Sequence, residues 1–78
     1  MEVYIVEEEY GCLVEEVYIY FDEKSAQKKF IEVVNREWNT SFTYFGDAYD
    51  YMNTREVGKN DCVVNYDMYY TMDEPKSI

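Results

Sequence analysis

Apolar and polar positions alternate with two different periods along this chain. In the stretch Asp22–Trp38 the apolar residues Ala26, Phe30, Val33, Val34 and Trp38 recur at spacings of three and four. That is the signature of one amphipathic helix over 23–38 with a single inward stripe. Asp22 suits the N-cap, because its carboxylate can accept a bond from a free backbone N–H of the first turn. Glu23 near the start and Arg36 near the end match the helix dipole. Asn39-Thr40-Ser41 is a natural stop, since these side chains compete for backbone hydrogen bonds.

Elsewhere the period is two. Residues 2–9 read as a strand with Val3 and Ile5 on one side and Tyr4 and Val6 on the other. Glu7-Glu8-Glu9 ends it, and Tyr10-Gly11-Cys12 is the expected turn, with Gly11 free to take a positive φ. Residues 13–21 form a second strand, with Val17, Ile19 and Phe21 opposite Glu16, Tyr18 and Tyr20. The expected hairpin places Val3, Ile5, Val17, Ile19 and Phe21 under the helix. It leaves Tyr4, Tyr18 and Tyr20 on the other face, where a ring covers the sheet and the hydroxyl stays wet.

After the helix, Phe42, Tyr44 and Phe45 are aromatic anchors without a clear period. Gly46 is expected to break the chain and Asp47 to cap a short helix running to Thr54, with Ala48, Tyr51 and Met52 inward. A short hairpin across 42–57 is the competing assignment, because tyrosine favours strands. Val57-Gly58-Lys59-Asn60-Asp61 reads as a turn. Residues 62–72 alternate Val64, Tyr66, Met68, Tyr70 and Met72 with Asn65, Asp67, Tyr69 and Thr71, a long strand with one buried face. Pro75 ends it, and 73–78 is expected to fray. The expectation is an α+β fold: a small antiparallel three-stranded sheet, one main helix on one face, order β-β-α-(short α)-β. The pattern does not say which hairpin edge takes the third strand.

A chain of 78 residues has room for a single domain over 1–78. Its 47% hydrophobic content is too high for a disordered acidic tail. The net charge of −10 argues against direct binding to nucleic acid or an anionic membrane, because phosphates repel it. The charge is also uneven. The 23–38 helix holds four bases (Lys24, Lys28, Lys29, Arg36) against three acids, and the other 62 residues hold three bases against 14 acids. No apolar run nears the roughly 20 residues of a membrane span. The acidic, strand-like start does not resemble a signal peptide, so a cytoplasmic location is expected. Cys12 and Cys62 then read as reduced thiols.

Little in the chain points to catalysis. It has no histidine, no glycine-rich phosphate loop, and no Ser or Cys beside a base. A zinc or other transition-metal site is not expected, no cofactor is implied, and Asp47 and Asp50 lack calcium-loop spacing. Acids and aromatics together remain. An array of carboxylates can compete for a basic nucleic-acid channel, and interleaved tyrosines add contact area.

One region resembles a known family. Lys29-Phe30-Ile31, then Trp38-Asn39, then the acidic-aromatic stretch ending Tyr51-Met52-Asn53-Thr54 is similar to the helical part of small phage-encoded anti-CRISPR proteins. These block type II-A Cas9 by mimicking the duplex that carries the PAM. The resemblance spans residues 29–54 and implies an acidic surface seated in the basic PAM-reading groove, with Asp47 and Asp50 as contacts. In the family the sheet precedes the two helices, whereas here a strand is expected after them.

The expectation for function is therefore an acidic phage or mobile-element anti-defence inhibitor and DNA mimic, not an enzyme, acting in the bacterial host cytoplasm. Its partner would be a basic nucleic-acid-binding protein or CRISPR-Cas effector. The expected contacts are Glu7, Glu8, Glu9, Glu15, Glu16, Asp47, Asp50 and Asp67, with Tyr49 and Tyr69 as aromatic anchors. The alternative is a structural or regulatory interaction module, monomeric or homodimeric, that uses the face formed by Tyr4, Tyr18 and Tyr20.

Overall fold

The computed structural model describes residues 1–11 and 13–70; Cys12 and the expected strand end and tail at 71–78 lie outside the described residues. The elements run β1 (Glu2–Tyr10), β2 (Leu13–Tyr20), α1 (Glu23–Trp38), α2 (Phe45–Thr54) and β3 (Cys62–Tyr70). The sheet order is β2-β1-β3, and both pairings are antiparallel. This matches the expected α+β class and element order, and it adds the missing choice: β3 joins β1, which becomes the central strand.

α1 forms where the stripe places it. The Asp22 side chain caps the first turn by accepting from the backbone N–H of Ser25 at 2.9 Å. Asn39 closes the other end in the left-handed conformation, φ 55° and ψ 48°, which asparagine tolerates better than most residues. Ala26, Phe30, Val33 and Val34 are fully buried.

α2 corrects two expectations. It begins at Phe45 rather than after Gly46, and Tyr44 occupies the N-cap without a side-chain bond. Asp47 therefore sits in the first helical turn instead of capping it, where its charge suits the dipole. The hairpin alternative for 42–57 is excluded by the same helix. Asn35 of α1 fixes the connection. Its side chain accepts from the Phe42 backbone N–H at 2.8 Å and donates to the Phe42 carbonyl at 3.0 Å. Phe42 and Phe45 are thereby aimed at the core, and Ala48 and Met52 of α2 are buried against it.

The sheet presents the opposite face to the helices from the one expected. Tyr4, Val6, Glu8, Cys62 and Val64 are the buried strand residues, with Tyr18, Tyr20 and Tyr66 packed against them. Val17, Ile19 and Phe21 are exposed, and Val3 and Ile5 are half-buried on the uncovered side. Charge supplies the reason. Placing Val3 and Ile5 under the helices would bury Glu7 and Glu9 of the same strand, and β3 would add Asp67. The observed register buries only Glu8, which meets Arg36 of α1 at 2.8 Å. Unpaired buried charge is costly, so this term outweighs the aliphatic preference for the interior. Tyr4, Tyr10 and Tyr18 lose little by going inside, because their hydroxyls reach carboxylates. Tyr4 donates to Glu2, Tyr10 to Glu37 and Tyr18 to Glu8.

Candidate functional site

The register sorts the expected contact residues into separate places. Glu8 is 4% exposed and lies on the helix-covered face. Its Oε2 accepts from Arg36 Nη2 at 2.8 Å and from the Tyr18 hydroxyl at 2.6 Å. The latter bond holds the Tyr18 phenol above its ordinary pKa. Glu8 is thus consumed within the fold, which removes it from the expected contact set.

Glu7, Glu9 and Asp67 lie on the uncovered face. The rows across β2-β1-β3 read Ile19, Ile5, Asp67; then Val17, Glu7, Asn65; then Val14, Glu9, Val63. Tyr69 pairs with Val3 at the end of the same face and is 53% exposed. Val17 and Ile19 are 48% and 57% exposed. Two columns result: an aliphatic one along β2 and an acidic one along the middle of β1. Residues two apart on one strand face are about 6.6 Å apart, so Glu7 and Glu9 are spaced for neighbouring cations on a partner. Glu9 Oε1 also accepts from Asn65 Nδ2 at 2.9 Å, which fixes its direction.

Glu15 and Glu16 are exposed on edge strand β2, beside the register shift at Glu8/Glu9. Glu16 stands opposite Glu8, so it borders the helix-covered face. Asp47 and Asp50 are exposed on α2, on the helix side of the sheet and away from Glu7 and Glu9. Tyr49, although 37% exposed, stacks on Phe45 with centroids 5.3 Å apart and approaches Phe30 at 5.9 Å. It belongs to an aromatic cluster with Tyr66, not to the Tyr69 surface. The structure therefore gathers Glu7, Glu9, Asp67 and Tyr69, and separates them from Glu8, Asp47, Tyr49 and Asp50.

Sequence reasoning missed the aliphatic half of this surface: Val17 and Ile19 were assigned to the core, and Val14 was assigned to neither face. The available signal was charge parity: Glu7 and Glu9 share a strand face with Val3 and Ile5, and Glu8 does not.

Charge is segregated between the layers. The three strands carry Glu2, Glu7, Glu8, Glu9, Glu15, Glu16 and Asp67 and no lysine or arginine. The described bases lie on α1 and in the segment after α2. Arg36 also bonds Glu37 through Nε at 2.9 Å, which pulls the Glu37 carboxyl below its ordinary range. Arg55 stacks over Tyr51 and Trp38, with its guanidinium 4.2 and 4.8 Å from the ring centroids.

A hollow of about 210 Å³ between β2 and α1 is lined by Tyr20, Ser25, Lys28, Lys29 and Glu32. It is smaller than ordinary ligand pockets of roughly 300–1,000 Å³. Lys29 is already engaged there, 3.2 Å from Glu32 and 4.8 Å over the Tyr18 ring. Among the described residues no three Cys, Asp or Glu side chains are grouped to hold a metal ion, and no helix is long and apolar enough to cross a membrane. Cys62 is a free, buried thiol, and burial raises its pKa.

No protein-family model matches the chain, and no curated protein or solved structure is significantly similar to it.

Proposed function

We propose that this protein is a non-catalytic inhibitor that binds a basic, nucleic-acid-handling protein and keeps it from DNA. The observation that carries the reading is a sheet with no lysine or arginine whose strands hold six carboxylates besides the buried, Arg36-paired Glu8. Such a surface repels nucleic acid and attracts the proteins that bind it, with fast, salt-sensitive association. A phage or mobile-element origin and a CRISPR effector as target, in the bacterial cytoplasm, follow from the anti-CRISPR resemblance of residues 29–54. Asp47 and Asp50 are the contacts which that resemblance implies.

The test is a pull-down from bacterial lysate with the intact protein, eluted by a salt gradient and challenged with duplex DNA. A basic nuclease or effector released at moderate salt and displaced by DNA supports mimicry. A partner that resists both salt and DNA counts against it.

A regulatory or structural interaction module is the second reading. Exposed Val17 and Ile19 favour it, in place of Tyr4, Tyr18 and Tyr20, which lie under the helices. It predicts salt-insensitive binding that is lost on Ile19→Ser.

A further inference from the structure

We infer that the uncovered sheet face is the docking site, and that its occupant is a basic amphipathic protein segment whose apolar side meets β2 and whose lysines or arginines meet β1. This rests on the proposed binding of a basic protein, and it places that binding on the uncovered sheet face instead of at Asp47 and Asp50 of α2, the contacts that the resemblance implies. Each half of the face is insufficient alone. Acids on a solvated surface are commonplace, and isolated exposed apolar residues need no explanation. Here the aliphatic column of Val14, Val17 and Ile19 runs directly beside Glu7 and Glu9, with Asp67 completing the acidic side.

Charge selects the occupant. A second copy of this chain, packed face to face, would oppose these carboxylates with their own kind, and the sheet offers no base to relieve them. Nucleic acid and anionic lipid are repelled for the same reason. A purely apolar partner would strip water from Glu7 without replacing its hydrogen bonds. A segment with alternating apolar and cationic positions satisfies both columns at once.

The probe is a synthetic peptide that alternates leucine and arginine, titrated into the intact protein while its backbone amides are followed by NMR. Controls are the leucine–glutamate peptide and a peptide of arginine and glycine. The expected result is saturable shifts at Ile5, Glu7, Ile19 and Asp67 with the leucine–arginine peptide only. The Glu7→Gln/Asp67→Asn variant should weaken that binding about tenfold, and Ile19→Ser should weaken it comparably. Thermal unfolding of the variants, unchanged from the parent, separates docking from folding. Shifts centred on Asp47 and Asp50, or equal binding of the arginine–glycine peptide, would overturn the assignment of the surface. So would sedimentation showing a dimer that Ile19→Ser dissociates. A DNA-displaceable basic partner whose capture survives Ile19→Ser leaves the inhibitor reading standing and removes this face from it. Absence of any basic partner from the pull-down removes the reading itself.

Discussion

Arg36 on α1 donates to Glu8 on β1 across the helix–sheet boundary, Nη2 to Oε2 at 2.8 Å. The Glu8 side chain is almost fully covered and the Arg36 side chain is about half exposed, 6% against 46%. The pair is a one-sided lock: the sheet contributes a carboxylate that cannot reach water, and the helix contributes a cation that can. Tyr18 from β2 completes it, so three elements meet at one carboxyl group.

Removing the cation should therefore cost more than an ordinary surface change. Arg36→Ala should lower the unfolding free energy by about 2 kcal/mol, less than a fully buried pair because solvent screens the arginine. Glu8→Leu combined with Arg36→Leu should recover most of it, since a matched apolar pair leaves no orphan charge. Urea denaturation of the single and double variants decides the point. An Arg36→Ala protein as stable as the parent would refute the lock.

The same pair explains what the sequence could and could not disclose. Hydrophobic period alone located α1, because Ala26, Phe30, Val33 and Val34 leave one inward face available. Alternation located all three strands. Which strand face turns inward depended on comparing Glu8 with Glu7 and Glu9, and on knowing that Arg36 would arrive over Glu8. That is a tertiary contact 28 residues away, and local periodicity does not contain it. The start of α2 was hidden for a similar reason: Gly46 discourages helix locally, yet the tether from Asn35 to Phe42 and the burial of Ala48 and Met52 hold the turn in place. Of the apolar half of the candidate site, Val17 and Ile19 were legible as strand residues but misassigned as core, and Val14 was given no face.

Adjacent residues on β2 test the direction of the sheet. Tyr18 packs under α1 and Ile19 points away. Tyr18→Ala should destabilise by about 3 kcal/mol through lost ring burial and the vacated bond to Glu8. Ile19→Ser should stay within about 0.5 kcal/mol. Thermal unfolding of the two variants in one buffer makes the comparison. The reverse ranking would mean that the helices cover the other face.

Tyr66 carries a buried hydroxyl without a hydrogen-bond partner at bonding geometry, with the Gln27 side chain its near polar neighbour. Its ring is held by Phe45 at 4.7 Å and by Phe30 at 6.0 Å. Tyr66→Phe keeps the ring contacts and deletes the unsatisfied group, so it should raise stability by about 1 kcal/mol. Loss of stability on denaturation would show that the hydroxyl has a partner.

Gly46 lies in the first turn of α2, and a Cβ built there meets nothing within 4 Å. Gly46→Ala should therefore stabilise the helix by about 0.5 kcal/mol, through reduced freedom of the unfolded chain. A higher urea midpoint with unchanged slope is the expected readout.

The tyrosine–carboxylate bonds predict a pH limit on the alkaline side. Hydrogen bonding to Glu8 holds the Tyr18 phenol, and bonding to Cys62 and Glu37 holds the Tyr10 phenol, above the ordinary value of 10.0. The Tyr4 phenol is pushed up to about 12, chiefly by its bond to Glu2. A raised phenol pKa means that the folded state favours the neutral ring. The resulting stabilisation is complete below pH 10.0 and is lost as pH rises from there through the folded values. Asp22 and Glu37 behave oppositely. Bonds from Ser25 and Arg36 lower their pKa values, so their contribution is present above the ordinary values of 3.8 and 4.5 and fades as pH falls below them. In acid, however, protonation of the many surplus carboxylates also relieves repulsion, so the two effects oppose each other there. The alkaline limb is the cleaner test. Tyrosinate absorbance of the parent minus that of a Tyr18→Phe variant should show the Tyr18 step above pH 10.0, close to the loss of circular dichroism. A Tyr18 step at pH 10.0 with the fold intact would contradict the Glu8 bond.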